Sequence, residues 1–187
     1  EDPDRIFEEG GAIEAMVAAQ KAGKIRFIGF TGHKDPIVHL RMLDVAERHG
    51  FRFDAVQMPI NVMDASFRSF ENDVLPRLVK ERIGVLAMKP MGGGNVIKAV
   101  LKEKTASAID LLHYAMSRPV SVVITGIENP RILNQALEAV RTFEPLSPKR
   151  ARKLVKRNRS SAAEGKFERF KTTTEHDGTA ENSEWLG

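Results

Sequence analysis

The sequence contains no cysteine. That absence excludes disulfides, thiolate metal sites, iron–sulfur clusters and cysteine nucleophiles, and it fits a reducing compartment such as the cytoplasm. Also missing is any apolar run of about eighteen residues, the length that a membrane-spanning helix needs. From Glu1 onward no positively charged start leads into an apolar stretch, so no secretory signal peptide is visible. Tyrosine occurs once, at Tyr114, in the middle of a helical pattern, which predicts packing rather than proton donation. The five histidines (His33, His39, His49, His113 and His176) include no H-x-x-x-H pair with a carboxylate partner, so no metal site is predicted. Ser117 and Ser121 lie in no elbow motif. No nucleophile–base–orienter set can be assembled from these residues.

What is present is enough for one domain with a real core: 187 residues, 42% of them hydrophobic. The net charge of +4 is concentrated rather than spread. Lys149, Arg150, Arg152, Lys153, Lys156, Arg157 and Arg159 fall in one segment without an acidic residue. Such a block reads either as a nucleic-acid or membrane surface or as a solvated helix face. No aromatic residue interleaves it to stack a base, so the helix face is expected, with no nucleic-acid or membrane partner.

Four units follow one another, each a β-like run and then a helical pattern, at intervals of roughly 30 residues. Before them an orphan helix places Ile13, Met16 and Val17 on one side, with Gly23 as its C-cap. The strands are expected at Ile25 to Thr31, Phe53 to Met58, Ile83 to Met88 and Val120 to Thr125. Helices are expected from Pro36 to His49 (Asp35 as N-cap), around Glu71 to Glu81, through Ile109, Leu112 and Met116, and from Pro130 on. On the third of these, Asp110 and His113 stand one turn apart and predict a surface pair. Repeated strand, loop and helix means parallel strands joined by crossover helices, in either a doubly wound sheet or a piece of a (β/α)8 barrel.

Both architectures place their sites at the C-terminal ends of the strands. Here those ends read Thr31-Gly32-His33, Gln57-Met58-Pro59, Met88-Lys89-Pro90 and Thr125-Gly126-Ile127. The first turn is not G-x-G-x-x-G, which favours the barrel. His33 either faces the site or caps the next helix. After the third strand, Lys89-Pro90-Met91-Gly92-Gly93-Gly94 gathers backbone N–H groups and one positive charge, as a pyrophosphate requires.

These residues resemble a known family. Gly23 to Thr31 resembles the fifth-strand signature of aldo-keto reductases, Phe53 to Gln57 their sixth strand, and Met88 to Gly94 their seventh-strand loop. Val123 to Pro130 is similar to their eighth-strand cofactor loop. Phe170 to Thr173, Asp177 to Ala180 and Glu184 to Gly187 look like the ending of one bacterial branch. The resemblance implies an α/β fold, the (β/α)8 TIM barrel, of which this chain carries the second half, strands five to eight. Residues 1–145 would be the partial barrel and residues 146–187 a C-terminal helix and extended tail.

It also implies NADP(H) as cofactor and small carbonyl compounds as substrates. Thr31 and Gln57 would hold the nicotinamide amide. Met88 stands where an aromatic usually stacks on the ring, and offers a thioether instead. Lys89, Pro90, Met91, Gly92, Gly93 and Gly94 would lie along the pyrophosphate, and Gly126, Ile127, Glu128, Arg131 and Gln135 around the adenosine end. Relatives often have asparagine where this chain has Gly32, and Glu and Asn where it has Gln135 and Ala136. The family's catalytic Asp, Tyr, Lys and His belong to strands two to four, and no residue here takes their places. The chain by itself is therefore expected to be inactive and to self-associate unless the other barrel half is present. The alternative expectation is a nucleotide-binding or redox-sensing module of the same fold that performs no turnover.

Overall fold

A computed structural model describes residues 3–175 and Gly178. His176 lies outside the described residues, as do Asp177, Thr179, Ala180 and Glu184 to Gly187 of the tail motifs. Four strands form one sheet in the order β1-β2-β3-β4, with every neighbouring pair parallel. They are β1 Gly29–Thr31, β2 Ala55–Pro59, β3 Gly84–Met88 and β4 Val122–Val123. Spatial order follows chain order, so each strand returns beside its predecessor through a helical crossover. That is the arrangement of a partial α/β barrel.

The outer strands are shorter than their apolar runs predict. An end strand has a ladder partner on one side only, and Ile25 packs into the cluster of Ile28, Ala46 and Phe53 instead of extending β1. Beyond β4 a single further bond, from Ile124 N–H to the Ala87 carbonyl at 2.8 Å, continues the pairing.

Local chemistry sets the helix boundaries. α1 (Ala12–Lys21) ends where Gly23 turns to φ +70°, and the Lys24 N–H reaches back to the Ala19 carbonyl at 3.0 Å. α2 (Pro36–Arg48) starts with the Asp35 carboxylate accepting from Ile37 N–H. The helix expected from Glu71 to Glu81 is divided into α3 (Phe70–Asp73) and α4 (Leu75–Lys80). Pro76 has no N–H to return to the carbonyl four residues back, so the helix breaks just before it. After the glycines come α5 (Asn95–Lys102), which the sequence reading did not single out, and α6 (Ala108–Met116). The expected Asp110–His113 pair does not form, because each residue is held elsewhere. Asp110 closes a capping box with Ser107, and His113 Nε2 lies 2.8 Å from the Ala139 carbonyl. α7 (Pro130–Arg141) is capped by Asn129, and α8 (Pro148–Ala162) carries the basic block. A short α9 (Arg169–Thr172) follows.

The sheet has two unlike faces. Val56 and Met58 of β2 stand beside Val85 and Ala87 of β3 and pack under Leu43, Phe70, Leu75, Leu78 and Ala115 of the helices. Their neighbours Ala55, Gln57, Gly84 and Leu86, pointing the other way, are only half-buried. A second core joins Val96 and Val100 of α5, Leu111 and Tyr114 of α6, and Ala151 and Leu154 of α8. The basic block is thus the exposed side of an amphipathic helix, part of it bordering a cleft. Among the described residues no helix is long and apolar enough to cross a membrane.

Candidate functional site

Parallel register brings three predicted residues together at the strand ends. Thr31 pairs with Gln57, and Met88 sits opposite Pro59, two places further along β2. The Gln57 Nε2 donates to Thr31 Oγ1 at 3.3 Å and lies 3.4 Å from Met88 Sδ. The contact to oxygen is at the long end of hydrogen-bond geometry, and the thioether, at an ordinary N···S distance, is a weak acceptor. The amide is therefore placed by its neighbours but not saturated by them. It can exchange these partners for a carboxamide, which presents a complementary donor and acceptor.

Beneath this cluster lies His39 of α2, which is buried. Its Nε2 is 3.3 Å from the Gln57 carbonyl, to which the Nε2–H tautomer donates. Burial lowers its pKa to about 4, opposed by that backbone bond and assisted by nearby His33. The ring is neutral at physiological pH and holds the β2 exit in place. It also explains Gly32: a Cβ there would stand 2.8 Å from His39 Cε1. Any side chain there would have to displace the buried His39 ring.

The loop after β3 turns sharply. Lys89 has φ +57°, and Gly92, Gly93 and Gly94 also have positive φ. A side chain at Gly92 would meet Val96 Cγ2 at 2.1 Å, so glycine is what lets the loop rest on α5. At Gly94, by contrast, nothing lies within 4 Å of a Cβ position, and the backbone is open to close approach. The Gly92 and Gly94 N–H groups are already bonded, to the Lys89 and Met91 carbonyls at 2.8 and 3.0 Å. The loop is thus a narrower cradle than three free glycine donors. Its remaining assets are the Lys89 charge and the start of α5, which has no side-chain cap. Pro90 is buried and Met91 packs against the second core.

The chain's last described turn lies across these exits. Lys89 Nζ sits 5.6 Å from the centre of the Phe170 ring, and the His33 ring meets the same phenyl edge-on at 5.8 Å. Lys34 Nζ donates to the Thr173 carbonyl at 2.6 Å. Asp35 caps α2, so His33 is not the cap; it faces Phe170. A polar cluster that sequence reasoning missed fastens this turn. Lys171 Nζ donates to Asp64 Oδ1 at 2.6 Å, the Phe67 carbonyl at 2.8 Å and Glu168 Oε2 at 3.0 Å. Asn61 Nδ2 donates to Glu168 Oε1 at 2.9 Å, and all four side chains are buried. Burial pushes the Asp64 carboxyl up to about 7, against the pull of Lys171, and raises Glu168 in the same way. No local signal marks these residues, since Asp64 and Lys171 are 107 positions apart.

The remaining predicted residues lie at the fourth strand end. Gly126, Ile127, Glu128 and Arg131 are exposed beyond β4, and Gln135 is half-buried on α7. Among the described residues no hydrogen bond ties them to the Gln57 cluster.

Comparison with known proteins follows the same outline. The model of the Aldo/keto reductase family matches residues 2–109, from before α1 into the start of α6. A thermostable aldo-keto reductase, solved in complex with the inhibitor epalrestat, superimposes with a TM-score of 0.58 at 15% identity. The match covers 84% of this chain and 55% of that one, so the chain spans little more than half the length of that structure. No curated protein matches the sequence. With the family model covering more than half of its residues, the chain belongs to the aldo/keto reductase family.

Proposed function

We propose that this chain is the cofactor-holding half of an NADP(H)-dependent reductase that converts small carbonyl compounds to alcohols, contributing strands five to eight of a (β/α)8 barrel. In this reading residues 1–145 belong to the partial barrel and residues 146–187 to a C-terminal helix and tail. The observation that carries this reading is the Gln57 amide, shared loosely between Thr31 and Met88 beside the Lys89 loop. The residues fit the cofactor in kind: an unsaturated amide, an apolar thioether, one lysine, and open backbone at Gly94 and Gly126.

Bound NADPH supplies the hydride. Gln57 and Thr31 orient the nicotinamide carboxamide, and Met88 gives its ring an apolar floor. Lys89, with Pro90 to Gly94, offsets the pyrophosphate charge, while Gly126 to Glu128, Arg131 and Gln135 flank the adenosine end. Proton donation is left to residues outside this chain, so the chain by itself reduces no carbonyl. β1 and β4, as end strands, pair with the other four strands, and they drive self-association when those are missing.

Titration of NADPH, followed by enhanced nicotinamide fluorescence, tests the reading. Gln57→Ala is expected to weaken binding about fivefold to tenfold, the loss of one hydrogen bond near 1 kcal/mol. Lys89→Ala should weaken it at least as much. Unchanged affinity in both variants would remove the assignment.

A further inference from the structure

A cleft of about 680 Å³ opens between the turn at Asp64–Ser66, α3, α6 and α8. None of the strand-end residues lines it. Arg152, Lys156 and Arg159 of α8 form one wall, spaced i, i+4 and i+7 on a single helix face, with Val155 between them. Opposite stands Arg118, whose guanidinium lies 4.7 Å from the centre of the Tyr114 ring and 3.2 Å from a Glu71 oxygen. The Tyr114 hydroxyl donates to the other Glu71 oxygen at 2.7 Å. The one acidic group in the cleft is therefore engaged twice. The three α8 cations have no ion-pair partner among the described residues.

On a convex surface three such charges would simply be solvated. Along a cleft with an apolar strip the fields of these exposed cations add, which raises the local concentration of anions. The volume lies within the range of small-molecule sites rather than of extended nucleic-acid grooves. The only aromatic side chain in it, Tyr114, has its hydroxyl committed to Glu71. Two walls, the Asp64–Ser66 turn with α3 and then α6, follow the interior strands β2 and β3, and α8 closes the cleft from beyond β4.

We propose that this cleft is a second anion site, one that binds a small organic phosphate carrying at least two negative charges. Arg152, Lys156 and Arg159 hold the charged group, and Val155 meets the carbon skeleton. The site is separate from the strand-end site and does not rest on the reading given for it.

Isothermal titration of the intact chain with sodium pyrophosphate and with adenosine diphosphate tests the proposal. The Lys89→Ala background weakens the strand-end contribution, and sodium pyrophosphate, which has no adenosine, does not engage its adenosine end. Saturable binding is expected to persist there and to weaken about tenfold or more in Arg152→Glu/Lys156→Glu. Lys153→Glu/Arg157→Glu makes the same charge change on α8 away from the cleft, and should alter affinity less than about twofold. Should the first double variant fail to fold, the neutral Arg152→Gln is expected to weaken binding about threefold. Absence of saturable binding would overturn the proposal, and so would equal losses in the two double variants. Binding of a single-stranded oligonucleotide without binding of either phosphate probe would overturn it in favour of a nucleic-acid surface.

Discussion

The side chains around Gln57 and those around Asp64 both belong to the exit of β2, yet their hydrogen-bonding states are opposite. Around Asp64, every proton of the Lys171 ammonium has an acceptor within 3.0 Å, and no member of the cluster reaches solvent. At Gln57 the amide is half-buried and its two contacts are 3.3 and 3.4 Å long. A saturated, dry cluster can only hold structure, because any ligand would have to replace partners it already has. An unsaturated cluster at a strand end costs little to rearrange and is free to bind. The same loop thus separates the work of fastening from the work of recognition.

The largest expected effect comes from opening the saturated cluster. Lys171→Met leaves Asp64 and Glu168 buried without a cation and should lower stability by about 3–5 kcal/mol, read from urea or thermal melts. Gln57→Ala, by contrast, should move the same melts by less than about 1 kcal/mol. Equal effects would erase the distinction between the two clusters.

The pH dependence of stability separates them further. The Asp64 carboxyl is raised from 3.8 to about 7, so between those values the folded chain keeps a proton that the unfolded chain releases. Its contribution is complete below about pH 4 and is lost as pH rises through 7. Glu168, also raised by burial, acts in the same direction. His39, under Gln57, is lowered from 6.5 to about 4, and its contribution is present above 6.5 and lost as pH falls toward 4. The two slopes oppose each other. Between pH 5 and 7, urea midpoints should shift upward with pH in Asp64→Asn relative to the parent, and downward in His39→Gln. Shifts of the same sign would mean that one of these groups does not titrate as its burial requires.

The smallest expected effect lies where the two clusters touch, through Phe170. Phe170→Leu keeps apolar bulk but removes the ring facing Lys89. A cation–π contact of about 0.5–1 kcal/mol corresponds to a loss of roughly two- to fivefold in affinity for the proposed cofactor, NADPH. In the Lys89→Ala background the same substitution should have no further effect on binding. Additive losses would show that the ring acts independently of the lysine.

Much of this architecture is written in short-range features. Asp35-Pro36 and Asn129-Pro130 mark helix starts, Gly23 and Gly50 mark ends, and apolar runs ending in Thr31, Gln57 and Met88 mark strand exits. Such signals work because capping and φ preferences act over a few residues. Val120 to Thr125 illustrates the limit, since a strong β-branched run makes a two-residue strand when only one neighbour offers a ladder. α8 was legible as a charged helix but not as a core element. Besides Leu154 it buries mostly small or polar residues, Ala151, Asn158, Ser161 and Ala162, which weigh little in any hydropathy pattern. The Asn61–Asp64–Glu168–Lys171 cluster was not legible at all. Each residue alone reads as an ordinary surface polar group, and only tertiary folding makes them neighbours.

That long separation also sets a clock. At a synthesis rate of about 5–20 residues per second, Lys171 emerges on the order of 5–20 seconds after Asp64. Throughout that interval the carboxylate has no cation to meet, and the loop behind β2 gains nothing from drying out. Only when the α9 turn arrives can Phe170 meet Lys89 and Lys171 meet Asp64. A nascent chain stalled before that point would hold a sheet whose Asp64 still lacks its buried cation.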